Sequence, residues 1–186
     1  MITHSGSCRI QTQRLVLRKF IQSDAEPMFN NWAGDCENVK YVSWKAHKNL
    51  SETQKIVSDW IQGYSNLDYY RWVITLKDSG YVIGEISVID YSDCDECCEI
   101  GYILSKKYWN MGFMTEALNA VIRYLFEKVG FHRVQLRHDV NNPASGRVMQ
   151  KNGLKYEGTL RHSRKNNQGN WCDTSIYSIL KFEIKF

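Results

Sequence analysis

Long hydrophobic runs are missing from this chain. No apolar stretch approaches the ~18 residues of a membrane-spanning helix, so no membrane partner is expected. Met1 to Cys8 lacks the charged-then-apolar layout of a signal peptide, and the chain reads as cytoplasmic. Proline is scarce, at two residues in 186, and internal repeats and low-complexity segments are absent. With 43% apolar and 24% charged residues, this composition argues against disorder and for a globular fold. Charge of one sign does not dominate: 24 Lys and Arg against 20 Asp and Glu leave +4. Basic residues are scattered apart from Arg161-His162-Ser163-Arg164-Lys165, so nucleic acid is not an expected partner, and an anionic cofactor fits the mild excess as well. Six cysteines are present, but Cys94-x-x-Cys97 has no second Cys or His pair at suitable spacing, so no metal is expected. A chain with its own sizeable core has little need of a disulfide framework, and the cysteines read as free thiols. The length suits a single domain over 1–186, able to bury roughly 70% of its unfolded surface.

What is present is concentrated between Glu99 and Lys128. Glu99-Ile100-Gly101-Tyr102-Ile103-Leu104 is rich in β-branched and aromatic residues and reads as a mostly buried strand. Ser105 to Met114 breaks the pattern and carries Gly112, where a loop needs a positive φ or a ligand needs close backbone approach. A helix follows, with Ala117, Leu118, Val121, Ile122, Leu125 and Phe126 at three- and four-residue spacing and Gly130 just past its end. Strand, glycine-bearing loop and helix N-terminus together make an anion site, because unpaired N–H groups and the positive dipole end converge there. Lys106 and Lys107 lie just upstream. A plain connection between two core elements fits the same residues.

Around this stretch the elements fall in a consistent order. Arg14 to Phe20 alternates as a first strand. Ser23 with Glu26, and Ser51 with Gln54, form capping boxes that open two helices, the second running to about Tyr64, while residues 33 to 50 fit no pattern. Tyr70–Leu76 and Tyr81–Asp90 should pair as a hairpin across Lys77-Asp78-Ser79-Gly80. Arg133–Val140 reads as a strand parallel to Glu99–Leu104, since a strand-helix-strand crossover within one sheet requires that direction. Asn142 is a plausible cap for a helix with Pro143 in its first turn and Gly153 at its end. Leu154–Arg161 and Trp171–Leu180 close the chain as strands around a turn at Asn166–Asn170.

The run EIGYILSKKYWNMGFMTEAL resembles motif A of the GNAT acyl-CoA N-acyltransferases, and in particular the branch of ribosomal-protein alanine N-acetyltransferases, through Trp109, Gly112, Thr115, Glu116, Ala117 and Leu118. Asn110 stands where that branch usually has Gly, and Met114 where it has Ala or Gly. A second match, N-x-A-S-x-x-V-x-x-K-x-G, covers Asn142, Ala144, Ser145, Val148, Lys151 and Gly153, and the closing pattern appears as Gly169-Asn170-Trp171-Cys172-Asp173. The resemblance spans about residues 12 to 180. It implies an α/β GNAT fold, a mixed central sheet with about four helices.

The same resemblance implies acetyl-CoA as co-substrate and an amine as acceptor, with direct transfer in a ternary complex. The strand at Tyr102, Ile103 and Leu104 would face the pantetheine arm, and Trp109, Asn110, Met111, Gly112, Phe113, Met114 and Thr115 would take the pyrophosphate. Asn142 would contact the pantetheine region and Ser145 would serve the departing sulfur; a capping role for Asn142 and a first-turn place for Ser145 fit the residues too. Met149 stands where another subset of the superfamily carries a tyrosine acid, so that mechanism is not carried over. An amine of pKa ~8 to 10 must lose a proton, and Glu99 is the first candidate base, with Glu85, His138 or an ordered water as alternatives. The branch favours a protein N-terminal α-amine as acceptor; a small amine is the alternative, and a non-catalytic acyl-CoA-binding module is a reading of another class. The family often forms homodimers, on which the sequence itself is silent.

Overall fold

The computed structural model describes residues 2–184. Its eight strands form one mixed sheet in the order β1-β2-β3-β4-β5-β6-β8-β7. They are β1 (Ile10–Gln11), β2 (Leu15–Arg18), β3 (Arg71–Leu76), β4 (Val82–Ser92), β5 (Cys97–Leu104), β6 (Arg133–Asp139), β7 (Lys155–Lys165) and β8 (Trp171–Leu180). Four α-helices flank them among the described residues: α1 (Ala25–Met28), α2 (Leu50–Gly63), α3 (Phe113–Tyr124) and α4 (Pro143–Lys151). This is the α/β architecture expected, with antiparallel pairing everywhere except between β5 and β6.

Each face of the sheet has its own apolar layer. On one, Ala117, Leu118, Val121 and Ile122 of α3 pack on Leu15, Trp72, Ile86, Ile100 and Leu136. Burying each such aliphatic side chain contributes about 1.5–3 kcal/mol, which is why the four-residue spacing of α3 fixes its orientation. On the other face α1 and α2 cover Phe20, Val73, Val82 and Ile103. Gly112 (φ 78°) precedes α3 and Gly130 (φ 98°) follows its last, wider turn, both in the left-handed region that favours glycine.

The helix starts differ from the expected capping boxes. Ser23 caps nothing: the Asp24 carboxylate accepts from the Ile21 amide at 2.9 Å while also pairing with Arg18 at 2.7 Å, and a charge-assisted arrangement outcompetes a serine hydroxyl. The segment from Gln22 to Ala33 is accordingly a succession of short 3-10, α and π turns. At α2 the cap is Asn49, two residues before Ser51. Its side chain accepts from Glu52 N at 3.0 Å, and Glu52 in turn accepts from Lys48 N at 2.8 Å. Residues 34–49, which matched no periodic pattern, form turns held down by His47 N to Ala33 O at 2.8 Å and by Asn38 Nδ2 to Leu104 O at 3.0 Å.

One irregularity of the sheet matters most. β5 and β6 pair in parallel only over Cys97–Glu99 with Arg133–Gln135. From Ile100 onward the two strands diverge, so the free edge of β5 opens into a wedge. A bulge in β4 between Val88 and Asp90 bends its pairing with β5 at the same level.

Candidate active site

The wedge is the centre of a cavity of about 800 Å³. Ile100, Gly101, Tyr102, Ile103 and Leu104 line it along β5, and Leu136 and His138 along β6. Alternation places Ile100, Tyr102 and Leu104 on the α3 side, and Glu99, Gly101 and Ile103 on the α2 side. The main-chain groups of Tyr102 that face away from β4 have no β6 partner, so an extended ligand arm lying in the wedge meets a free strand edge there, while Leu104 O, at the end of that edge, is taken by Asn38 Nδ2 and Trp109 Nε1.

At the outer end of β5 the loop Ser105–Gly112 turns into α3. Asn110 has φ 61° and Gly112 φ 78°. Asn is among the non-glycine residues best able to take such a left-handed position. Met114 is 5% exposed and packs in the core cluster with Phe113, at the inner wall of the cavity. The first N–H groups of α3 lack intrahelical partners and converge with its positive dipole end on the space beside Gly112 and Thr115, a fit for phosphate. Met111 is 53% exposed at the rim.

Two residues of the motif have structural partners here. Trp109 donates its indole N–H to Leu104 O at 2.8 Å, pinning the loop to the end of β5. Glu116 accepts from Thr12 Oγ1 at 2.6 Å, from Arg14 N at 2.8 Å and from Arg14 Nε at 2.7 Å, while Arg14 Nη1 donates to Met111 O at 3.0 Å. Burial raises the Glu116 carboxyl, but these hydrogen bonds outweigh it and leave its pKa below the ordinary value. Of the two loop lysines, Lys106 pairs with Asp35 at 2.6 Å, and Lys107 is exposed.

Across the wedge, α4 begins at Asn142, whose side chain accepts from Ser145 N at 3.4 Å. Ser145 Oγ lies 2.8 Å from the Tyr102 hydroxyl. Burial raises the Tyr102 phenol well above its ordinary pKa, with the Ser145 hydrogen bond opposing, so it stays protonated. Behind Ser145, Gly146 makes room for His138: a Cβ there would lie 2.7 Å from His138 Nε2. His138 Nδ1 contacts Asp139 O at 2.8 Å, and Nε2 is buried without a partner among the described residues.

The α2 side of the cavity has a polar floor. Arg71 of β3 pairs with Glu85 of β4, and Arg137 of β6 with Glu99 of β5. Glu99 is 3% exposed; Arg137 binds both of its oxygens, and Gln135 Nε2 adds a contact at 2.9 Å. Its lone pairs are thus engaged by a guanidinium and an amide, which disfavours direct proton abstraction. Glu85 is also engaged, through Arg71, which stacks 4.1 Å from the Trp60 ring. Trp32, Trp44, His47 and Trp60 wall this side. Arg164, from the β7–β8 hairpin, closes it by donating to Tyr41 O at 2.9 Å.

The structure thus gathers Tyr102, Ile103, Leu104, Gly112, Phe113, Met114, Thr115, Asn142, Ser145, Glu99, Glu85 and His138 around one cavity, together with Trp109 and Asn110. Met111 alone of the expected residues does not line it. Sequence reasoning missed Arg14, Arg71 and Arg137, and the side-chain hydroxyl of Tyr102. The available signal was a charged residue alternating within otherwise apolar strands, as at Arg71, Glu85 and Arg137.

Comparison with known proteins bears on the family and the fold. The model of the acetyltransferase (GNAT) domain matches residues 14–155. The chain is 30% identical over 172 residues to the uncharacterised N-acetyltransferase YoaA of Bacillus subtilis (strain 168), covering 92% of this chain and 96% of that one. It is 34% identical over 163 residues to the ribosomal protein uS5-alanine N-acetyltransferase of Escherichia coli (strain K12), covering 81% and 79% of the two chains. A crystal structure of a GNAT-family acetyltransferase from Bacillus anthracis superposes with a TM-score of 0.83 at 27% identity, over 95% of this chain and 100% of that one. The chain belongs to the GNAT acetyltransferase family. It is an N-acetyltransferase, and its relatives include ribosomal-protein acetyltransferases.

Proposed function

We propose that this enzyme acetylates a protein N-terminal α-amine, and that residues 1–186 act as one catalytic domain. The observation that carries direct transfer is the continuity of the cavity, from the α3 N-terminus through the wedge to the polar floor beneath Trp44 and Trp60. Donor and acceptor meet there without a covalent enzyme intermediate. In this reading the pyrophosphate lies on Asn110–Thr115 and the pantetheine arm runs along Tyr102–Leu104 beside Asn142. The thioester carbonyl comes to the splay point near Gly101. The Ser145 hydroxyl donates to the departing sulfur as negative charge develops. The amine enters over Glu85 and Glu99, and its proton leaves through water held on that floor, because both carboxylates are engaged by arginines.

Support for a protein terminus over a small amine comes from the uS5-alanine N-acetyltransferase, similar over about four-fifths of both chains. The test is release of free thiol from acetyl-CoA with two panels: alanine-starting peptides, with N-acetylated controls, and small amines including polyamines. Turnover with the free peptides and none with the blocked ones supports the proposal. Turnover confined to small amines overturns the acceptor assignment while leaving the transfer chemistry intact.

A further inference from the structure

We propose that Tyr102 is the positioning residue for Ser145, its phenol supplying the hydrogen bond that frees the serine proton for the leaving thiolate. This rests on the reading above that Ser145 acts at the departing sulfur. The face of β5 that carries Tyr102 otherwise presents Cys98, Ile100 and Leu104, all buried and apolar in character. Phenylalanine would fill the same space, so the hydroxyl needs its own explanation. It has two acceptors on a single residue, Ser145 O at 3.2 Å and Ser145 Oγ at 2.8 Å.

With the sulfur uncharged, Ser145 donates to the phenol oxygen and the phenol donates to the carbonyl. As charge builds on sulfur, the serine hydrogen turns toward it, and the phenol hydrogen rotates about its C–O bond onto Ser145 Oγ. No heavy atom moves. The chemistry balances without Tyr102 ionising: the N–C bond forms, the C–S bond breaks, and its electron pair stays on sulfur. Ser145 and Tyr102 keep their own protons, and the proton the amine loses to water is replaced at sulfur from solvent. Burial keeps the phenol protonated, so it remains a donor across the working pH range.

The experiment is Tyr102→Phe made both in the natural enzyme and in Ser145→Ala. The expected result is about a 10-fold loss of kcat in the first background, an unchanged KM for acetyl-CoA, and no further loss in the second, since the phenol acts only through Ser145. Equal losses in the two backgrounds would mean that Tyr102 serves packing, and would overturn the proposal. A second measurement needs no turnover: titration of the CoA thiol in its complex, followed by the ultraviolet absorbance of the thiolate. Natural enzyme should lower the pKa of the bound thiol relative to Tyr102→Phe, and identical titrations also overturn the proposal. If CoA binds but no amine releases thiol from acetyl-CoA, the transfer reading fails by itself, and the titration still decides Tyr102.

Discussion

Replacing Arg137 by methionine leaves the Glu99 carboxylate without its cation where only 3% of that side chain meets solvent. Breaking a buried ion pair from one side generally costs about 3–5 kcal/mol, because the surviving charge is left uncompensated in a poorly polarisable site. Two features of this site favour the low end: Arg137 is itself 39% exposed, so solvent screens the pair, and Gln135 keeps its 2.9 Å contact. We expect a loss of about 3 kcal/mol. At about 2.1 cal/mol/K per residue, 186 residues unfold with an entropy near 0.4 kcal/mol/K, so the thermal midpoint should fall by about 8 °C. Adding Glu99→Gln to Arg137→Met removes the stranded charge and should restore most of the loss. Melts followed by circular dichroism test both outcomes. A single variant within 1 °C of the natural protein, or a double variant less stable than the single, would refute the account of Glu99 as a buried charge held by Arg137.

Gly146→Ala drives a Cβ to 2.7 Å from His138 Nε2, and the imidazole is held by Asp139 O, so the variant should lose about 1–3 kcal/mol in a denaturant titration; an unchanged midpoint would show that the ring yields freely. Asn110→Val places a β-branched residue at φ 61°, and should cost about 1–2 kcal/mol and weaken acetyl-CoA binding measured calorimetrically, whereas Asn110→Gly should bind at least as well; the reverse order would remove the backbone conformation from the phosphate site. Arg133, with help from Ser178, lowers the Glu157 carboxyl from 4.5 to about 2. A depressed carboxyl stabilises the fold fully above its unfolded pKa and loses that contribution as pH falls through the folded value. The stability gap between the natural protein and Arg133→Gln should therefore hold above 4.5 and close toward 2. Glu157 is 39% exposed, so solvent screening reduces the gap to about 1 kcal/mol, and a gap independent of pH would refute the coupling.

Local pattern determined much of this protein. The spacing of Ala117, Leu118, Val121 and Ile122 dictates α3 and its buried side, and the strand-helix-strand order forces β5 and β6 to run parallel. Those patterns are legible because 3.6- and 2-residue periods follow from backbone geometry alone. The caps were less legible: Ser23 and Ser51 fit the capping pattern, yet Asp24 and Asn49 take the amides, because Arg18 and the approach of the chain decide which polar group is in reach. Tertiary structure alone decided the site's chemistry. That Arg137 crosses to Glu99 and that Tyr102 meets Ser145 are contacts between residues 38 and 43 positions apart, and that the parallel pairing stops after Glu99 is a property of the register. A sequence fixes which face of a strand a side chain occupies. Which partner stands opposite depends on how separately folded elements slide into register, and that is set by the packing of the whole sheet.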